Sequence, residues 1–447
     1  MTRNKLSKSF APALSALSVA LVSAMVSSTA FGSAFQLGKQ NDAQGVGRFG
    51  AGGAAAPGDC AVVENNPAAM ADFKASCLQS DVVIIDYSIK FSGGGTDAFG
   101  SPLTGGNGGN GGTTVPLPAL HFIMPVNEQF ALGAAINVPF GLKTEYDDRW
   151  VGRYTAVRTD LKTPAITVAG SWKIDDTLSL GASVIAQRMR AELVQDINLG
   201  TILAAPTNGA LLPQEADGQG TLHAVDWGWG FGLGLLWKPS PNDRVGFNFH
   251  SQINHSVDDA RATFLIPSNL VPLFGGAFTN TTAEAKLNTP WYVDAGWWHT
   301  VDDRLSLAAN VSYTHWSSFE KLVLTYKNPA QAQFNSPSYF NYKNSWEAAI
   351  GAEYKLDNQW TLRGGIGYDK TPTVDTTRDP RVPDGDRKSI ALGVGYKMSE
   401  QLRFDAGWYH LFVDDGKIDV TAATFDHLVG KTKNDDNTFG VSVQYQF

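Results

Sequence analysis

The end of the chain alternates residue by residue. Within Asn437–Phe447, the side chains of Phe439, Val441, Val443, Tyr445 and Phe447 are apolar, and Gly440, Ser442, Gln444 and Gln446 stand between them. Successive side chains of a strand point to opposite faces, so this segment forms a strand with one wholly apolar face ending in aromatics. That suits a wall with lipid on one side and a polar lumen on the other, Tyr and Phe lying at the interface. The same period recurs in Asp81–Phe91 (Val83, Ile85, Tyr87, Ile89 and Phe91 opposite Asp86, Ser88 and Lys90), in Trp346–Leu356 and in Ser389–Met398. Alternation also explains why 24 Phe, 13 Tyr and 12 Trp coexist with a mean hydropathy of −0.15. A helical membrane protein is far more apolar than that, whereas a barrel of alternating strands averages its two faces.

Short polar turns punctuate the strands at Pro125–Gln129, Lys173–Thr177, Lys238–Arg244, Val301–Arg304, Lys355–Gln359 and Lys397–Gln401. Between them run longer, variable connections such as Ser92–Thr114, Leu199–Thr221, Lys370–Asp386 and Val413–Asp436. Six tight turns and seven long loops join about fourteen strands, an even number with both ends on the short-turn side. The expected fold is all-β: a membrane-spanning antiparallel β-barrel with an N-terminal segment left over. Closure removes strand edges that lipid could not hydrogen-bond.

The N-terminus carries Arg3, Lys5 and Lys8 before an apolar Ser/Ala-rich run ending in small residues, the pattern of a secretory signal peptide. Cleavage after Gly32 or Ala34 satisfies the small-residue rule, dividing the chain into a signal (1–32), an N-terminal segment (33–77) and the barrel (78–447). No later stretch reaches 18 uninterrupted apolar residues, and export combined with the terminal strand points to the outer membrane. The middle segment is rich in Gly and Ala, lacks the period of two, and reads as short helices and turns, either a periplasmic tail or a plug in the lumen.

Other chemistry finds little support. A net charge of −8 and a pI near 5.5, without a basic stripe, exclude a nucleic-acid binder. Of eight His, only His250 and His255 are close, and five residues apart on a strand they are expected on opposite faces, so no metal site follows. There is no Gly-x-Ser-x-Gly elbow or phosphate loop, and neither an enzyme nor a cofactor is expected. Cys60 and Cys77 are expected to form a disulfide in an oxidising periplasm.

Ser33–Leu37, Gly45–Arg48 and Asn66-Pro67-Ala68, followed by Gly133–Leu142, Trp227–Gly230, Tyr313–Phe319, Val382–Arg387 and the terminal Phe447, resemble FadL-type outer-membrane long-chain fatty acid transporters along essentially the whole mature chain. The resemblance implies a fourteen-stranded barrel with an N-terminal hatch of short helices in its lumen. It implies uptake of hydrophobic compounds, long-chain fatty acids first and aromatic or aliphatic hydrocarbons second, by capture at outer loops, binding in apolar lumen pockets and lateral exit through a kinked third strand. A hydrophilic porin or adhesin is the rival, disfavoured by the hatch. On this reading Pro139, Phe140 and Gly141 form the kink, because Pro139 gives no ladder hydrogen bond and Gly141 tolerates unusual backbone geometry. Phe35, Gln36 and Leu37 touch the ligand pocket, and Arg378 and Arg381 are candidates for the head group. Asn66, Pro67 and Ala68 anchor the hatch, and Asp386 and Arg387 make a structural salt bridge in the lumen. In one departure, Arg190–Val194 at the end of the fifth strand lacks an Arg expected there, although Arg188 and Arg190 are near. Expected partners are the hydrophobic substrate, outer-membrane lipid and lipopolysaccharide, and the barrel-assembly machinery, with the protein a monomer.

Overall fold

The computed structural model describes residues 34–37, 41–335 and 337–447, so the predicted signal peptide lies outside the described residues. Fourteen antiparallel strands close into a barrel, the first pairing with the last from Cys77↔Gln446 to Thr96↔His427. They are β1 (Cys77–Thr96), β2 (Thr114–Pro125), β3 (Phe130–Asn137, resuming as Gly141–Glu145), β4 (Arg158–Lys162 and Ala165–Lys173), β5 (Leu178–Asn198), β6 (Asp217–Ser240) and β7 (Asp243–His250 and Ile253–Leu265). The circuit continues through β8 (Thr281–Thr289 and Tyr292–Thr300), β9 (Leu305–Thr314), β10 (Ser345–Lys355), β11 (Trp360–Asp369), β12 (Arg387–Lys397), β13 (Leu402–Val413) and β14 (His427–Gln446). All six predicted tight turns fall between consecutive strands. β4, β7 and β8 are each interrupted, at Thr163-Pro164, Ser251-Gln252 and Pro290-Trp291. At two of these breaks a proline withholds the N–H that the ladder needs.

The faces sort by chemistry. On β14, Phe439 and Val441 are 48% and 56% exposed, while Thr438, Ser442 and Gln444 are buried toward the lumen. On β6 the exposed Trp227 and Trp229 alternate with glycines. The apolar face of β1 behaves differently: Val83, Ile85, Tyr87, Ile89 and Phe91 all point inward and are buried, and Asp86 and Lys90 face out. Lower on the same face sit buried Gln79 and Asp81. The lumen face of β1 is therefore polar near its periplasmic end and apolar above.

Inside lies the hatch, which resolves the choice between tail and plug. Helix α1 (Ala43–Val46) is capped by Asp42, α2 (Val62–Asn65) follows, and a 3-10 turn (Pro67–Asp72) leads to β1. The wall glycines make room for it: a Cβ on Gly246 would stand 1.8 Å from the Ala54 carbonyl oxygen, and one on Gly181 would stand 2.3 Å from the Ala68 nitrogen.

Candidate functional site

The hatch is held at several points. Cys60 and Cys77 are disulfide-bonded, tying its root to β1. Asn66 accepts from the Ala68 amide at 3.1 Å and donates to the carbonyls of Ala54 (2.7 Å) and Leu235 (2.9 Å), so the Asn-Pro-Ala turn anchors the hatch to β6. Asp72 pairs with Lys238 and, at 2.7 Å, with Arg244 at the β6–β7 turn. Across the barrel Arg48 pairs with Glu353 and lies over Trp298, 5.2 Å from the ring centre, and Arg363 joins Glu353 at 2.7 Å to Asp405 at 2.8 Å. These bonds fasten the plug to β6 and β7 on one side and to β10 further round the wall.

β3 breaks at Val138–Phe140. Ladder pairs between β2 and β3 run only from Pro125↔Ala131 to Leu120↔Ile136, and Thr114–Ala119 of β2 has no ladder pair with β3. The N-terminal segment meets β3 above that point. Leu37 donates to the Pro139 carbonyl at 2.7 Å, Gly141 donates to the Phe35 carbonyl at 2.9 Å, and Gln36 bridges to Phe140. Thr314 donates to the Gln36 side chain at 2.9 Å, and the Ala34 amide donates to Asp384 at 3.1 Å. Gly141 is not among the residues with positive φ, so Pro139 rather than glycine freedom accounts for the break.

Three cavities lie along the lumen around this seat. An extracellular vestibule of about 830 Å³ narrows to an apolar pocket of about 60 Å³, and the two share Leu193, Leu222, Leu322, Phe340 and Arg381. Phe35 lies in the wall of the small pocket with Leu142, Leu161, Met189 and Leu287. Its ring stands edge-on to Trp316 (4.6 Å), Phe319 (5.4 Å) and Phe140 (6.1 Å), so one side chain touches both the pocket and the β3 break. Below, a third cavity of about 120 Å³ is bounded by Gln36, Leu37, Glu64, Asn137, Pro139 and Phe140.

The two candidate arginines separate. Arg381 sits between vestibule and pocket. Its guanidinium donates to Asp379 (2.6 Å), Gln195 (2.6 Å) and the Thr155 carbonyl, which uses three of the five N–H groups an arginine offers. Arg378 lines neither cavity. It is buried and donates to Asp375 (2.5 Å), Thr373 (3.1 Å) and the carbonyls of Asp384 (2.7 Å) and Lys417 (3.0 Å), which brace the outer loop. The Arg378 hydrogen bond and charge hold the Asp375 carboxyl below the usual range. Arg188 and Arg190 point out of the barrel, alternating with buried Gln187, Met189 and Ala191.

Asp386 and Arg387 do not pair with each other. Asp386 meets Lys370 at 2.6 Å and the Tyr368 hydroxyl at 2.7 Å, and Arg387 meets Asp369 at 3.2 Å and Asp384, because adjacent residues at a strand start diverge. His250 and His255 also depart from expectation. The break at Ser251-Gln252 resets the alternation, so both turn inward, His250 to the Glu64 carbonyl at 3.1 Å and His255 to Gln187 at 3.0 Å. Among the described residues no cluster of His, Cys, Asp and Glu is arranged to hold a metal. The role of Glu64 and the seating of Phe35 against Phe140 had no local signal beyond the Ser33–Leu37 resemblance.

A closed barrel with a bound plug, an apolar pocket between two larger cavities and a break in its wall ladder defines an outer-membrane transport protein. Residues 23–447 match the family of outer membrane protein transport proteins (OMPP1/FadL/TodX), and the chain belongs to that family. It is 30% identical to outer membrane protein P1 of Haemophilus influenzae over 404 residues, 85% of each chain. It is 28% identical to the long-chain fatty acid transport protein of Escherichia coli over 457 residues, covering 97% of this chain and 98% of the relative. A solved Pseudomonas aeruginosa FadL homologue superposes with a TM-score of 0.86 at 30% identity, covering 94% of this chain and 100% of the other. The Ralstonia pickettii toluene transporter TbuX shares the fold, with a TM-score of 0.66 at 20% identity over 92% of this chain and 99% of the other.

Proposed function

We propose that the protein takes up long-chain fatty acids, which enter through the vestibule, lodge the alkyl chain in the apolar pocket with the carboxylate at Arg381, and leave sideways through the wall between β2 and β3. The observation that carries this reading is the position of Arg381 at the mouth of an otherwise apolar pocket. With three N–H groups engaged, two remain to meet a head group. The relative from Escherichia coli, named for long-chain fatty acid transport, supports the same class. Lateral exit agrees with a hatch fastened to β1 by a disulfide and to β7 and β10 by ion pairs, and with a β2 edge that β3 does not cover.

A second reading, uptake of aromatic or aliphatic hydrocarbons, is favoured by the apolar pocket and by the charge already balancing Arg381 at Asp379. Uptake of labelled oleate and labelled toluene by cells with and without the protein decides between them. Protein-dependent entry of oleate is the expected result, entry of toluene alone favours the second reading, and no difference for either refutes both.

A further inference from the structure

Where β2 and β3 part, one carboxylate joins three elements. Glu64 lies in α2 of the hatch and is buried. Its Oε2 accepts from the Asn137 amide group on β3 and stands 3.6 Å from His121 Nε2 on β2. Its backbone carbonyl accepts from Asn248 and His250 on β7, each at 3.1 Å. The other His121 ring nitrogen is 3.2 Å from Asp81 on β1, Asp81 accepts from Gln79 at 3.2 Å, and Gln79 accepts from the Cys60 amide at 3.1 Å. The network thus starts on the hatch beside the disulfide and returns to the hatch at Glu64.

Its location matters. The last β2–β3 rung is Leu120↔Ile136 and the last rung from β3 to the longer part of β4 is Asn137↔Ala165, so His121 and Asn137 flank the point where the ladder ends. The end of a hydrogen-bonded ladder opens at low cost unless side chains hold it. Here both flanking side chains converge on one hatch carboxylate. A neutral apolar residue at position 64 would leave the buried Asn137 amide without that partner, which is costly.

We propose that Glu64 is a positioning residue for transport, fixing how far down the wall β2 and β3 separate and hence the size of the lateral opening; this rests on the lateral-exit reading above. The test exchanges roles across the contact in the full-length protein. Asn137→Asp sets two carboxylates face to face, and Glu64→Gln combined with Asn137→Asp restores a donor and an acceptor with their sides reversed. The N137D variant is expected to cut maximal oleate uptake about tenfold, because a rim that frays past Asn137 no longer holds an opening of fixed shape at the end of the apolar path, without changing the half-saturating concentration, since the vestibule and Arg381 are untouched. Amide hydrogen exchange over residues 131–140 should rise in that variant, and the double variant should recover both uptake and protection. Heat-modifiable migration confirms that each barrel is folded. If Asn137→Asp does not fold, Glu64→Ala supplies the same two readouts.

A separate variant, Leu117→Arg, places a bulky charge on the lumen face of the β2 stretch that β3 does not cover, beyond the Asp81↔Ala119 rung of the network. Loss of uptake there, with wild-type transport by Asn137→Asp or no recovery in the double variant, overturns the role of Glu64 and leaves the lateral route standing. Undiminished uptake by Leu117→Arg overturns the lateral route and the proposal with it.

Discussion

Replacing Arg381 by Met keeps length and apolar bulk but removes the one charge shared by the vestibule and the pocket. The side chain is about 11% exposed, so its interactions are largely sheltered from solvent. A charge-assisted hydrogen bond to a carboxylate contributes about 1.5–3 kcal/mol net. Since 1.4 kcal/mol is a factor of ten, oleate should bind roughly 10- to 100-fold more weakly to the variant, a range that follows from the same hydrogen-bond energy. Methyl oleate has the same chain but no charge and should bind both proteins alike. Met also leaves Asp379 without its guanidinium, so Arg381→Met combined with Asp379→Asn serves as the control for an abandoned carboxylate. Displacement of a fluorescent fatty acid from detergent-solubilised protein reads both ligands. The wild type should prefer oleate over its ester by the factor that the variant loses. An equal fall for acid and ester, or undiminished oleate binding, would refute the head-group assignment.

Phe35→Ala removes a buried ring with three edge-on aromatic neighbours, a truncation that costs about 3–5 kcal/mol in a packed core. The Phe35–Leu37 segment should then undock from the β3 break, seen as faster hydrogen exchange at Leu37 and Gly141, together with weaker ligand retention. Gly246→Val drives a side chain into the Ala54 carbonyl, so the hatch should leave its socket and cells should become sensitive to large hydrophilic antibiotics while the barrel stays folded. Pro139→Val with Gly141→Val restores strand formers to the β3 break and should lower uptake without loss of the heat-modifiable barrel. Replacing Cys60 and Cys77 by Ser opens a 17-residue separation and should destabilise the hatch by about 3 kcal/mol in the chain-entropy estimate, read as an earlier loss of protease resistance.

The barrel was legible because its signals are local. Period-two alternation and polar turns are written in consecutive residues, so strand number, turn positions and the outward face of β14 could be read before any contact was known. Reading the face of β1 was harder. Alternation separates its two faces but does not say which meets lipid, and Val83–Phe91 faces the lumen because that part of β1 packs against loops, as Phe91 does against Trp150 at 5.4 Å. The strand break at Ser251-Gln252 resets the alternation of β7, which is why His250 and His255 share the interior.

The sequence by itself determined a fourteen-stranded wall and an N-terminal segment that does not belong to it, and its resemblance to FadL-type transporters directed attention to Asn66, Pro139 and the two outer-loop arginines. Only the tertiary structure decided that Arg381 meets the pocket while Arg378 braces a loop, that Phe35 rests against Phe140, and that Glu64 ties the hatch to the parting of β2 and β3. Those contacts join residues tens to hundreds of positions apart, and closing a barrel sets which inward side chains face one another across the lumen. No local periodicity encodes that meeting, because it depends on register and on how the plug is seated.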